Sequence, residues 1–256
     1  VHRNGASGGT LAVTFGLPLP PGALTDPERL RILDASGNEI PAHAEPVLRW
    51  HTIDDSIRAL KVQFRADIVG DTAAFAFTLD TPCRKPLDPW LYAQALVDGE
   101  HGLRVPGALA TLDPRWLTAS LIAGPQVTFD PDDNAYDRFL QTQFAWAEAL
   151  PTDDPHAWLF DRSSTLFKLY VRSGRIEHLR AAVQSYRFYM SKLVRTGPVS
   201  GRQCGGGWAF GEVNSCDAKY VYIEPILLAL GLAGDDSLHD TALVDKMAAL
   251  WADGGW

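Results

Sequence analysis

The sequence predicts an α+β protein in two parts. An antiparallel β barrel or sandwich is expected over residues 1–130, and helical hairpins of a partial α/α toroid over residues 131–256. Three observations predict this. Apolar residues alternate with a period of two before Asp130 and of about 3.6 after it. Short extended segments recur about every 10–15 residues in the first half, punctuated by Pro and Gly. Two helix–Gly–helix patterns follow at an offset of about 60 residues: Phe167-Lys168-Leu169-Tyr170 leads to Gly174, and Leu227-Leu228-Ala229-Leu230 leads to Gly234.

The elements follow in chain order. LAVTFGLPLP reads as a strand that ends at prolines, and ERLRILD as a second, closed by the turn Ala35-Ser36-Gly37-Asn38. EIPAHAEPVLRWH continues extended, because Pro41 and Pro46 disfavour helix in the residues before them. IRALKVQFRADI alternates cleanly, with Arg58, Leu60, Val62 and Phe64 assigned to the buried face. AAFAFTLDT is a further strand. Asp113 and Pro114 suit the cap and first position of one helical turn. Asp132 or Asp133 caps a helix running to about Ala149, with the stripe Tyr136, Phe139, Leu140, Gln143, Phe144, Ala147. The clearest element is the hairpin from Pro155 to Leu193. Ile176, Leu179, Val183, Tyr186, Met190 and Leu193 make one stripe, and Gly174 suits a C-terminal cap. A Gly-rich loop from Arg195 to Asp217 separates it from a second helix pair joined at Gly234-Asp235-Asp236-Ser237.

Composition narrows the function classes. Hydrophobic content of 46% with 21% charged residues suits a globular chain with a sizeable core. A net charge of -8 argues against a general nucleic-acid or anionic-membrane binder. No apolar run approaches the roughly 20 residues of a membrane span, and the start shows no secretion signal. Of three cysteines, Cys204 and Cys216 are placed to bridge one loop or to stay as buried thiols, with Cys83 left over. The abrupt ends suggest a piece of a longer polypeptide.

The first half resembles the RIFT-barrel-like N-terminal domain of the exo-rhamnogalacturonan lyase-like bacterial family over residues 11–80. The residues that carry the resemblance are Val13-Thr14-Phe15-Gly16, Pro18, Pro20-Pro21-Gly22-Ala23-Leu24, Leu30-Arg31-Ile32-Leu33-Asp34, Gly37-Asn38-Glu39-Ile40-Pro41, Trp50 and Asp54-Asp55-Ser56-Ile57-Arg58. Asp55 stands where the family has Gly. The resemblance implies a β domain preceding an α/α toroid and cleavage of an acidic polysaccharide. Similar N-terminal domains also occur in large phage-associated proteins.

The candidate catalytic residues are His156, Arg162, Tyr222 and Glu224. An Arg neutralises a uronate carboxylate through paired hydrogen bonds, a His or Tyr moves the proton alpha to it, and a Glu serves as a general acid. Trp158, Asp161, Trp208, Lys219 and Tyr220 are substrate-binding candidates, the tryptophans as stacking platforms for sugar rings. Each has a plainer structural reading. Asp161 caps a helix while Arg162 makes a salt bridge, Tyr220 and Tyr222 are core aromatics, and Trp208 plugs its loop. Asp130-x-Asp132-x-Asn134 copies the start of a calcium loop but lacks its later Gly and Glu, so helix capping is favoured and no cofactor is expected. Gly5-Ala6-Ser7-Gly8-Gly9 matches a nucleophile elbow without the strand and helix that give it meaning.

The function these residues point to is carbohydrate-active: a polysaccharide lyase working by β-elimination on an acidic polysaccharide, outside the cell or on a virion. One alternative is a non-catalytic structural or adhesive module that meets other chains of a larger assembly. Another is a glycoside hydrolase with paired carboxylates such as Asp161 and Glu224.

Overall fold

The computed structural model describes residues 1–7, 9–151, 161–195, 208–210, 222–239 and 241–253. The chain is mixed helix and sheet. Its first half holds β1 (His2–Arg3), β2 (Thr10–Pro18), β3 (Arg31–Leu33), β4 (Glu39–Ile40), β5 (Ala42–Arg49), β6 (Ile57–Asp67), β7 (Ala76–Thr78), β8 (Leu96–Asp98), β9 (Arg104–Pro106) and β10 (Ala108–Leu109). All pairings are antiparallel, in the sheets β2-β6-β5 and β4-β3-β7 and the ribbons β1-β10 and β8-β9. Among the described residues these small sheets do not close a barrel, which corrects that part of the expectation. The strands of the second sheet, β3, β4 and β7, are only two or three residues long. The two three-stranded sheets share one apolar cluster instead, in which Val13, Phe15, Leu60, Val62 and Phe64 meet Ile32 and Phe77.

The main sheet departs from the sequence reading in one respect. Leu60, Val62 and Phe64 are buried as expected, but Ala59, Lys61 and Gln63 on the opposite face are buried too. The cover comes from the far end of the chain. A helix begins at Glu224 and passes into a π turn over Ala229–Ala233. It lies on β2 and β6, with Gly231 against Gly16. No side chain separates the two backbones there. Lys61 is neutralised by Glu45 and Asp236. Gln63 exchanges hydrogen bonds with Trp90, its amide donating to the Trp90 carbonyl at 2.9 Å and its carbonyl accepting from the Trp90 N–H at 3.1 Å. Polar residues on this face are therefore compatible with burial, because each finds a partner.

The α-helices are α1 (Pro114–Ala119), which closes the first half, and α2 (Ala135–Glu148), α3 (Arg162–Ser173), α4 (Ile176–Lys192), α5 (Glu224–Leu228) and α6 (Thr241–Asp253) in the second. Asp113 caps α1, accepting from the Arg115 N–H at 2.7 Å. The α3–α4 hairpin forms as the periodicity predicts, with Gly174 at φ 65° capping α3. Leu179, Val183, Tyr186 and Met190 are in the core. α3 begins at Arg162, so Asp161 is its cap rather than a residue inside it. α2 is capped by Asn134 instead of Asp132 or Asp133, and Tyr136 and Phe139 of its expected buried stripe are exposed. The second helix pair turns at Gly234, φ 66°. Inside the Gly-rich loop, β11 (Leu193–Arg195) pairs with β12 (Trp208–Phe210).

Helices and sheet are joined by specific bonds. The Tyr170 hydroxyl accepts from the Leu112 N–H at 3.1 Å, and the Trp116 indole donates to the Pro18 carbonyl at 2.8 Å. After Gly234 two successive carboxylates diverge. Asp235 pairs with Arg187 of α4, both buried, while Asp236 pairs with Lys61 of the sheet. Asp54, Asp55 and Ser56 form a turn after Trp50. Asp55 takes φ 56°, a left-handed conformation that glycine adopts most readily, and Asp54 accepts from the Ser56 N–H and hydroxyl.

Candidate functional site

Three of the residues singled out in the sequence, Asp161, Tyr222 and Glu224, converge where the N-terminus of α3 meets that of α5. Asp161 sits in the left-handed region at φ 47°, ψ 56°, and its carboxylate accepts from the Ser164 N–H at 3.1 Å. A non-glycine residue held there stores strain, a feature that recurs at functional sites. Burial raises the Asp161 pKa above the ordinary carboxylate value. The Ser164 hydrogen bond and the Lys168 ammonium oppose that rise, and the Glu224 carboxylate adds to it. This carboxyl holds its proton to higher pH than an exposed one.

Glu224 opens α5 and pairs with Lys168 of α3 at 2.7 Å, both side chains being partly exposed. The pair faces solvent beside the shielded Asp161 carboxyl. Two carboxyls in electrostatic contact, one desolvated and one balanced by an ammonium, are thus held in unlike environments. Behind them, the Tyr222 N–H donates to the Tyr189 hydroxyl at 2.9 Å, and the two rings lie 5.7 Å apart. Burial pushes the Tyr189 phenol well above its usual range.

Arg162 points away from this cluster. Its guanidinium donates to the Ala147 carbonyl at 2.8 Å and lies 4.0 Å from Glu148, so it holds the C-terminal end of α2. Burial raises the Glu148 pKa, with Arg162 opposing. Among the described residues, Lys168 is an exposed cation beside Asp161, and in the sequence it falls inside a helix pattern. Its signal was present: Lys168 lies two turns beyond Asp161 on the same helical face. Tyr189 lies one position from Met190 of the apolar stripe, so its sequence context is that of a core aromatic.

The remaining candidates do not join the cluster by observation. His156, Trp158, Lys219 and Tyr220 lie outside the described residues, as do Cys204 and Cys216. Trp208 is placed by its backbone alone, opposite Arg195. Among the described residues no group of His, Cys, Asp or Glu could hold a metal ion. Asn134 instead accepts from the Tyr136 N–H, and Asp130 accepts from the Asp133 N–H, which is capping geometry. No described helix is long and apolar enough to cross a membrane. No family model, curated protein or solved structure matches this chain.

Proposed function

We propose that this chain is a carbohydrate-active protein that acts on an acidic polysaccharide, with its acid–base centre between the N-termini of α3 and α5. The single observation that carries the reading is the strained, desolvated Asp161 carboxyl beside the Lys168–Glu224 pair. In β-elimination the Lys168 ammonium meets the uronate carboxylate and stabilises the charge that develops on it. The proton alpha to that carboxylate passes to a base, the role the sequence gives Tyr222 and His156. The glycosidic C–O bond breaks as the ring double bond forms, and protonated Asp161 supplies the leaving oxygen with its proton. The family resemblance over residues 11–80 supports the substrate class. The finer architecture belongs to the same proposal: a β part over residues 1–130, opening hairpins of an α/α toroid over 131–256, and a place outside the cell or on a virion.

The two unlike carboxyls favour a second reading, hydrolysis with Asp161 as acid and Glu224 as its partner. One assay on uronate polymers separates them. Elimination gives an unsaturated sugar with new ultraviolet absorbance, and hydrolysis gives reducing ends without it. Asp161→Asn is expected to lower turnover by about 10²–10⁴. A chain inert on a broad panel of uronate polymers would overturn both readings in favour of a structural or adhesive module.

A further inference from the structure

α2 is attached to the body along one edge. Asp137 pairs with Arg172, the Phe144 ring stands 4.5 Å from the His178 ring, and the Ala147 carbonyl accepts from Arg162. Beside that edge runs a second line, Tyr136, Phe139, Gln143 and Trp146, in steps of three, four and three residues. Tyr136, Phe139 and Trp146 are 60%, 55% and 58% exposed. At the helical rise this line is about 15 Å long. Three large aromatics left in solvent on one face mark an interaction surface rather than scattered exposure.

The charges around the line decide what suits it. Asp130, Asp132 and Asp133 are exposed at one end and Glu148 at the other. Arg138, the exposed cation of α2, already donates to the carbonyls of Pro131 and Asp132. A second copy of α2 laid antiparallel would set the aspartates of one copy against Glu148 of the other, and like charges across an interface disfavour pairing. The same rim repels an acidic polysaccharide. We propose that this face of α2 docks an amphipathic helix of a partner protein, one that carries Lys or Arg along the edges of its apolar stripe.

The test is fluorescence anisotropy with the full chain and two labelled helical peptides of about 18 residues, five turns each. One is a Lys/Leu amphipathic helix and the other its Glu/Leu counterpart. The Lys/Leu peptide is expected to bind, with affinity that falls as salt rises. Phe139→Ser and Trp146→Ser should each weaken it by about tenfold or more. A charge-reversed variant, Asp132→Lys with Asp133→Lys, should weaken it as well without touching the aromatic line. Gln141→Ala, off the line, should leave it unchanged. Equal binding of the Glu/Leu peptide would overturn the proposal, as would binding of neither peptide. So would a dimer of the chain that Trp146→Ser abolishes.

Discussion

Replacing Gly16 by alanine probes the seat of the C-terminal helix on the sheet. A Cβ at position 16 would stand 2.5 Å from the Leu232 nitrogen and closer still to the Gly231 carbonyl, whereas ordinary contact begins at 3.4 Å. The shortfall at the Leu232 nitrogen alone is 3.4 − 2.5, or 0.9 Å, and the nearer Gly231 carbonyl obliges the two backbones to part by more than that. Neither can rotate aside, since β2 is bonded to β6 along its whole length and the helix carries its own hydrogen bonds. Overpacking costs about 1–3 kcal/mol, and a backbone-to-backbone clash belongs at the upper end, about 3 kcal/mol. Alanine's advantage over glycine within a strand, about 0.5–1 kcal/mol, does not offset this. For a chain of this size the melting temperature should fall by about 6–12 °C, followed by far-ultraviolet circular dichroism. Gly231→Ala is the control. Its Cβ would meet the ends of flexible side chains, Ile122 Cδ1 at 3.0 Å and Leu48 Cδ1 at 3.4 Å, and alanine is the better helix former. Its melting temperature should stay within about 3 °C of the parent. The reasoning fails if G16A melts like the parent, or if G231A loses as much.

Other substitutions test the buried charges and the site. Asp235→Ala leaves Arg187 buried without its carboxylate, and chemical denaturation should register a loss of about 3–5 kcal/mol. His178 is buried between Phe129 and Phe144, with its ring nitrogen 2.6 Å from the Ser173 hydroxyl. Burial pulls its pKa down to about 4, with Arg175 also lowering it and Glu177 opposing. The unfolded chain therefore takes up a proton near pH 6.5 that the folded chain refuses until about pH 4. Stability falls by about 1.4 kcal/mol per pH unit across that window, and titrating His178→Gln should flatten the profile there. Asp161→Asn keeps the capping oxygen and tolerates the left-handed backbone while removing the group that titrates. Because the Asp161 pKa is raised, the wild type gains stability from this group on acidification, and the variant should lack that gain. At neutral pH the variant should melt no lower than the wild type while losing activity; a clear drop in melting temperature would make Asp161 a structural cap.

How much of this was legible in the sequence depended on whether the deciding interaction was local. The α3–α4 hairpin was readable because its stripe and its Gly174 cap lie within one continuous segment. The cap at Asp113 was readable for the same reason. The burial of Lys61 and Gln63 was not, since Lys61 is met by Asp236, 175 residues further along the chain, and Gln63 by the backbone of Trp90. Alternation alone takes a polar residue on a strand to face water, and here each polar group has a partner instead. At the candidate site the sequence names the starts of α3 and α5 and offers Arg162 as the cation; in the fold Arg162 contacts the end of α2, while Lys168 pairs with Glu224. α2 misled in the opposite direction, because its aromatic stripe matches a core pattern yet stands partly in solvent.

The turn after Gly234 has a mechanical consequence. Asp235 and Asp236 are neighbours in the chain, yet one grips the helical hairpin and the other the sheet. A force pulling sheet and hairpin apart would pass through the two ion pairs in series, by way of the one peptide unit that joins them. Rupture at this joint should therefore begin at the more exposed pair, Lys61–Asp236, and leave Asp235 on the hairpin.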